Sequence, residues 1–307
     1  MNILPEKLQE GDIVGIIAPA SPPVSEKLEI GVQYLKELGL HIKMGRAILK
    51  KHGYLAGNDE ERTRDLHDMF QDPSVKAVIC ACGGYGTARI AQQIDYRLIK
   101  DNPKIFWGYS DITFLHTAIQ QNTGLITFHG PMLSSDIGSE DVHPQTKHSF
   151  QQLFQKMNLH YTEEISPLEI VVPGDAKGRL IGGNLALLVT TLGTRFEIDT
   201  RGKLFFIEDI DEEPYQIDRM LNQLKMAGKF ADAAGILLCD FHNCLPKKRE
   251  ESLSLKEIIH DHITPFEKPT LSGFKIGHCS PNIAIPIGAE GLLNTEKKQL
   301  TITPGVS

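Results

Sequence analysis

Short, nearly unbroken apolar runs punctuate the first half of the chain, and stretches of helical spacing lie between them. Val14–Ala20 (VGIIAPA) ends at Ser21-Pro22-Pro23, and Val75–Cys82 (VKAVICAC) runs into Gly83-Gly84-Tyr85-Gly86. Runs without polar alternation suit strands buried on both faces, and hence a parallel sheet. Leu28, Val32, Leu35 and Leu38 recur at helical spacing and Gly39 closes that segment, which completes a first strand–helix unit. The polar stretch Lys50–Arg62 reads as a loop leading to a helix around Leu66–Phe70. Lys104–Ile119 (KIFWGYSDITFLHTAI) predicts a short strand, a tight turn carrying Ser110 and an apolar helix. Gly124–Pro131 predicts another strand, and His143–Tyr161 a helix.

Thr162–Lys177, with two prolines and scattered charge, marks a domain boundary. Beyond it, Gly182-Gly183-Asn184 precedes an apolar helix, Leu185–Leu192, and Lys203–Ile207 is a strand that stops at Glu208-Asp209. An amphipathic helix over Tyr215–Ala227, a strand over Gly235–Cys239 and a helix over Leu255–Ile263 follow. A strand then ends at Phe274, and a small β-rich segment begins near Ile283. The expected fold class is α/β: an N-terminal open parallel-sheet domain over residues 1–165, then a smaller C-terminal α/β domain over 166–307 with a β-rich ending.

Composition narrows the function classes. A net charge of −7 without a Lys/Arg cluster argues against nucleic acid as a partner. No apolar run approaches the roughly 18 residues that would span a bilayer. The start, MNILPEKLQEGD, lacks the basic and apolar regions of an export signal. Five scattered cysteines fit a reducing compartment, so a cytoplasmic protein without membrane contact is expected.

A serine becomes a nucleophile when a base takes its proton, and that base needs an orienting acceptor. Ser110 sits at a strand–helix turn, although Gly108-Tyr109-Ser110-Asp111-Ile112 lacks the second glycine of a Gly-x-Ser-x-Gly elbow. His278, in a glycine-flanked turn, and Glu208, the first acid after an apolar strand, are the candidate partners. Each also has a plainer reading: a helix N-cap for Ser110, a turn residue for His278, a solvated acidic loop for Glu208. Gly83-Gly84-Tyr85-Gly86 is either a tight turn or an amide nest for a negative oxygen; it has neither dinucleotide nor Walker spacing. Asp240-x-His242-x-Cys244 matches no strong zinc pattern, Cys80-x-Cys82 is not a redox pair, and Cys279 and its neighbour His278 point apart. No metal or cofactor is expected.

Several long, ordered motifs together carry a resemblance. They are GDIVGIIAPASP (Gly11–Pro22), Gly53–Gly86, GYSDIT (Gly108–Thr113), HGP (His129–Pro131), LIGGNL (Leu180–Leu185), Phe206–Leu224 and GHC (Gly277–Cys279). The sequence resembles the LD-carboxypeptidase family, serine peptidases that include murein tetrapeptide carboxypeptidases and microcin C self-immunity peptidases. The resemblance implies a Ser-Glu-His triad on Ser110, Glu208 and His278, with oxyanion amides on Gly84 and Asp111. It implies a homodimer acting on a small muropeptide, cutting the amide between an L-centre diamino acid and a terminal D-alanine. A microcin-type nucleotide-conjugate amide and a non-catalytic binding module are the alternatives. One departure is Cys82: the family commonly has arginine before the glycine pair, and cysteine lacks that charge and fork geometry.

Overall fold

The computed structural model describes residues 2–247 and 251–307. Its contacts form two compact units, one of residues up to Met157 with Ser280–Gly288 and Pro304–Ser307, the other of Asn158–Cys279 with Ala289–Thr303. In chain order the first half contributes strands β1 (Ile13–Ile17), β2 (His41–Met44), β3 (Val75–Cys80), β4 (Ile105–Gly108) and β5 (Thr127–His129). The second half contributes β6 (Leu159–Tyr161), β7 (Glu169–Val172), β8 (Asp175–Asn184), β9 (Leu204–Ile210) and β10 (Gly235–His242). It continues with β11 (Thr270–Ser272), β12 (Ile285–Ile287), β13 (Glu290–Asn294) and β14 (Gln299–Ile302).

The first unit holds a sheet in the order β12-β5-β4-β3-β1-β2, parallel except for β12. Alternate residues of its strands enter different cores, as the two-residue period of a strand requires. Val14, Ile16, Ala77, Ile79, Ile105 and Trp107 pack in one cluster, while Ile17, Val78, Cys80 and Phe106 pack in the other. The helix Ser25–Glu37 brings Leu28 and Leu35 to the first cluster; the helix Asp59–Gln71 brings Leu66, Met69 and Phe70 to the second. Burial on both faces explains why these strands read as continuous apolar runs.

Three expectations change here. The helix Asp59–Gln71 begins inside the stretch read as loop, because Asn58 and Glu61 form a reciprocal capping box and acids fill the first turn. His143–Tyr161 is not one helix but a short helix Pro144–His148, a 3₁₀ turn Ser149–Leu153 and then strand β6. Its polar side chains hold another segment: Thr146 Oγ1 accepts from Asn282 N at 2.9 Å, and Gln152 Nε2 donates to the Ala284 carbonyl at 2.8 Å. That segment, Ser280–Gly288, belongs to the first unit and not to the C-terminal domain, since β12 pairs antiparallel with β5.

The second unit holds a mixed sheet in the order β6-β14-β13-β8-β9-β10-β11-β7, in which β8 to β11 are mutually parallel. Phe205, Ile207, Ile236 and Leu238 point to one face. They pack there against Ile217, Leu221 and Leu224 of the helix Pro214–Met226 and Leu185 and Leu188 of the helix Leu185–Thr191. Among the described residues no helix is long and apolar enough to cross a membrane.

Candidate active site

Ser110 follows β4 by two residues and opens a 3₁₀ turn, Ser110–Ile112, that feeds the helix Thr113–Thr123. Its φ of 64° lies in the left-handed region, which costs a non-glycine residue about 1 kcal/mol. The surroundings offset that strain. The Gly108 carbonyl accepts from His116 Nε2 at 2.8 Å and Gly130 N at 3.1 Å, and Tyr109 donates its hydroxyl to Asp136 at 3.2 Å. Burial lowers the His116 pKa to about 4, so its ring is neutral, with Nε2–H toward Gly108 and Nδ1 toward the Thr127 hydroxyl at 2.9 Å. The helix Thr113–Thr123 starts without a side-chain cap, so capping is not the task of Ser110.

The glycine turn is shaped around that serine. A Cβ on Gly83 would lie 2.9 Å from Ser110 Cβ and 3.1 Å from its Oγ, so only glycine lets this backbone approach the hydroxyl. Gly84 has a φ of 107°, and a Cβ there would fall 2.2 Å from Ser21 Oγ. Ser21 in turn braces the turn: its N–H donates to the Gly83 carbonyl, and its Oγ accepts from Tyr85 N, both at 3.2 Å. Cys82 donates its thiol to the Ser21 carbonyl at 3.1 Å, and burial pushes that thiol up to about 12, so it stays neutral. Below the turn the buried Arg62 donates Nη1 to the carbonyls of Pro19 and Gly86 at 2.6 and 2.9 Å and pairs with Asp59. Asp111 is buried, and its carboxylate accepts from Thr87 N at 2.9 Å.

The surroundings of Glu208 and His278 have a different build. Glu208 lies inside β9, not beyond its end, and is fully buried. The period of the strand places Glu208 on the same face as Leu204 and Phe206, while Asp209 shares the helix-covered face with Phe205 and Ile207. The solvated-loop reading therefore does not hold for these two acids. Glu208 Oε2 accepts from His278 Nδ1 at 2.7 Å and from His278 N at 3.3 Å. This close approach needs Gly277: its φ is 99°, and a Cβ there would sit 2.4 Å from Glu208 Oε2. With Nδ1–H donating to the carboxylate, the lone pair of a neutral ring lies on Nε2, the arrangement of a general base.

Asp209 takes the opposite role. It accepts from Asn184 Nδ2 at 2.9 Å and Ala186 N at 3.0 Å, tying β9 to β8 and to the start of the next helix. Burial and the neighbouring Glu208 push its carboxyl up to about 7, while these donors hold it down. Asp240 is engaged by Lys275, and no group of three or more metal-ligating side chains occurs among the described residues. Ser21, Arg62 and Thr87 were missed by sequence reasoning. Only the glycine spacing, which demands something to hold a permissive turn, hinted at them.

Sequence models of the LD-carboxypeptidase N-terminal and C-terminal domains match residues 14–130 and 177–293. Over 307 residues, 100% of this chain and 96% of the relative, the sequence is 66% identical to a probable murein peptide carboxypeptidase of Bacillus subtilis. The chain belongs to the LD-carboxypeptidase family. It is a serine peptidase of that family. Ser110, Gly84 and Asp111 fall in the N-terminal match, and Glu208 and His278 in the C-terminal one. It is 30% identical to the murein tetrapeptide carboxypeptidase of Pseudomonas aeruginosa, over 91% of this chain and 92% of that one. The fold matches the microcin C7 self-immunity protein MccF in its wild-type apo state at a TM-score of 0.90 and 26% identity, covering 99% of this chain and 100% of that one.

Proposed function

We propose that this LD-carboxypeptidase removes the terminal D-alanine from muropeptide tetrapeptides, with Ser110 as nucleophile and His278, oriented by Glu208, as its base. The observation that carries the proposal is the 2.7 Å bond from His278 Nδ1 to a fully buried Glu208, which fixes the imidazole tautomer. The likeness to the Bacillus subtilis and Pseudomonas aeruginosa carboxypeptidases supports the substrate.

Ser110 Oγ attacks the scissile carbonyl as His278 Nε2 takes its proton. The amides of Gly84 and Asp111 receive the oxyanion; losing one such donor typically costs about 3 kcal/mol. His278 then gives the proton to the departing D-alanine amine, and water releases the acyl group from Ser110 by the same route reversed. With a neutral thiol at Cys82, the terminal carboxylate of the substrate finds no cation at that position. A cytoplasmic homodimer acting in peptidoglycan recycling, needing no cofactor and binding neither nucleic acid nor membrane, completes the proposal.

A second reading, cleavage of an amide in a nucleotide conjugate, draws on the fold match to the microcin C7 self-immunity protein. Incubating the purified protein with a tetrapeptide ending in D-alanine separates the two. Mass spectrometry is expected to show loss of one D-alanine, and none with Ser110→Ala. An inert tetrapeptide beside a cleaved aminoacyl-sulfamoyl adenosine would establish the second reading instead.

A further inference from the structure

We infer that Thr87 and the Asp111 side chain are positioning residues that hold the two oxyanion amides at their working separation. The inference rests on the proposed assignment of those amides to Gly84 and Asp111. An oxyanion hole assembled from two chain segments stabilises charge only while its donors stay within tenths of an ångström of the developing oxygen. One of these donors lies in a turn with glycine at 83, 84 and 86, the least self-supporting kind of backbone. Something outside the turn must therefore fix it to the other.

Thr87 does so through two bonds to a single residue. Its N–H donates to Asp111 Oδ2 at 2.9 Å, and its Oγ1 donates to the Asp111 backbone carbonyl at 2.6 Å. One acceptor is the side chain and the other the main chain, so Asp111 can neither rotate nor slide relative to Thr87 without breaking one of them. Thr87 is three residues after Gly84, and the peptide of Asp111 immediately follows Ser110. The clasp thus joins the second amide to the chain that carries the first. Both residues are buried, Thr87 at 0% and Asp111 at 2% exposure, so water does not compete for these bonds. Burial raises the Asp111 carboxyl above its ordinary value, and the bonds from Thr87 and then the charge of Arg62, itself bonded to the Gly86 carbonyl, act against that rise. Ser21 Oγ accepts from Tyr85 N within the same turn. The glycines then give approach to the serine, and the clasp gives rigidity.

Thr87→Val removes the hydroxyl donor at nearly constant volume and keeps the backbone N–H. The expected result on the D-alanine tetrapeptide is a fall in kcat of between about 10- and 100-fold, with KM within about 2-fold. Affinity for a tripeptide boronic acid, with boron at the position of the scissile carbonyl, falls in step with kcat because its serine adduct is tetrahedral. Affinity for the product tripeptide does not change. Thr87→Ser, which retains the donor, restores most of kcat and of boronate binding. If Thr87→Val does not fold, Asp111→Asn, which keeps an acceptor for Thr87 N but loses the charge facing Arg62, is measured in the same way with a smaller loss expected. A folded Thr87→Val or Asp111→Asn protein with full kcat and full boronate affinity would overturn the inference. So would a loss confined to thermal stability. Ser110→Ala that retained activity would instead overturn the underlying site assignment, which keeps the two failures distinct.

Discussion

The surroundings of Ser110 and those of His278, the proposed nucleophile and base, are held by different physics. Around Ser110 the devices are backbone ones: a left-handed φ of 64°, glycines at 83 and 84, and hydrogen bonds from a neutral histidine and from the Ser21 N–H. Around His278 the device is a carboxyl group taken out of water, a fully buried Glu208 in the middle of a strand. In the proposed mechanism Ser110 must stay open to substrate, which suits a residue held by its own backbone. In the proposed mechanism the base must keep one tautomer, and a buried Glu208 Oε2 that accepts from both Nδ1 and the backbone N of His278 does that.

Removing the reacting groups sharpens this contrast most. Ser110→Ala is expected to abolish turnover, whereas Glu208→Gln should lower kcat by about 10⁴-fold while the protein stays folded, because an amide no longer selects the Nδ1–H tautomer. A Glu208→Gln enzyme within about 10-fold of wild-type kcat would break the assignment of the dyad. Alanine at the two tight glycines comes next. Gly83→Ala pushes a methyl against Ser110 Cβ and Oγ, so kcat should fall about 100-fold or more with little change in melting temperature. Gly277→Ala meets both a φ of 99° and the Glu208 carboxylate, and should lose activity and at least about 1 kcal/mol of stability together. Equal stability losses at the two positions, read by thermal melting, would erase the distinction drawn between the sides.

The smallest effect concerns His116. Its folded-state pKa is about 4 against an ordinary value of 6.5. Between those values the unfolded chain binds a proton that the folded one refuses, so stability is constant above pH 6.5 and falls as pH drops toward 4. The contribution amounts to about 3 kcal/mol at the acid end. Denaturant midpoints measured across this range should show a shallower slope for His116→Gln than for wild type. Parallel slopes would mean that the ring holding Gly108 is already charged.

Much of this was legible along the chain. Apolar runs that were buried on both faces read as parallel strands because period-two alternation disappears when both faces are dry, as at β1, β3 and β4. The turn at Ser110 was legible because strand, polar turn and apolar helix follow one another within sixteen residues, Lys104–Ile119. The helix start at Asn58 was legible in principle: the capping box was written in the residues, but a polar first turn disguised it as loop. Segments held by partners far along the chain were not legible. The stretch His143–Tyr161 has helical composition, yet Thr146, Ser149 and Gln152 spend their side chains on Asn282 and Ala284.

The sequence by itself determined the elements whose causes are local: the buried strands, the glycine turn, the serine after β4 and the order in which they come. Tertiary structure alone decided which of two adjacent acids would face His278. Glu208 and Asp209 are adjacent carboxyl groups and both buried, and only the pleat of β9 between its neighbours sends one to the imidazole and the other to Asn184. The partner of Glu208 lies 70 residues away. A contact of that span leaves no local periodicity, because it exists only once the sheet has set the register of both segments.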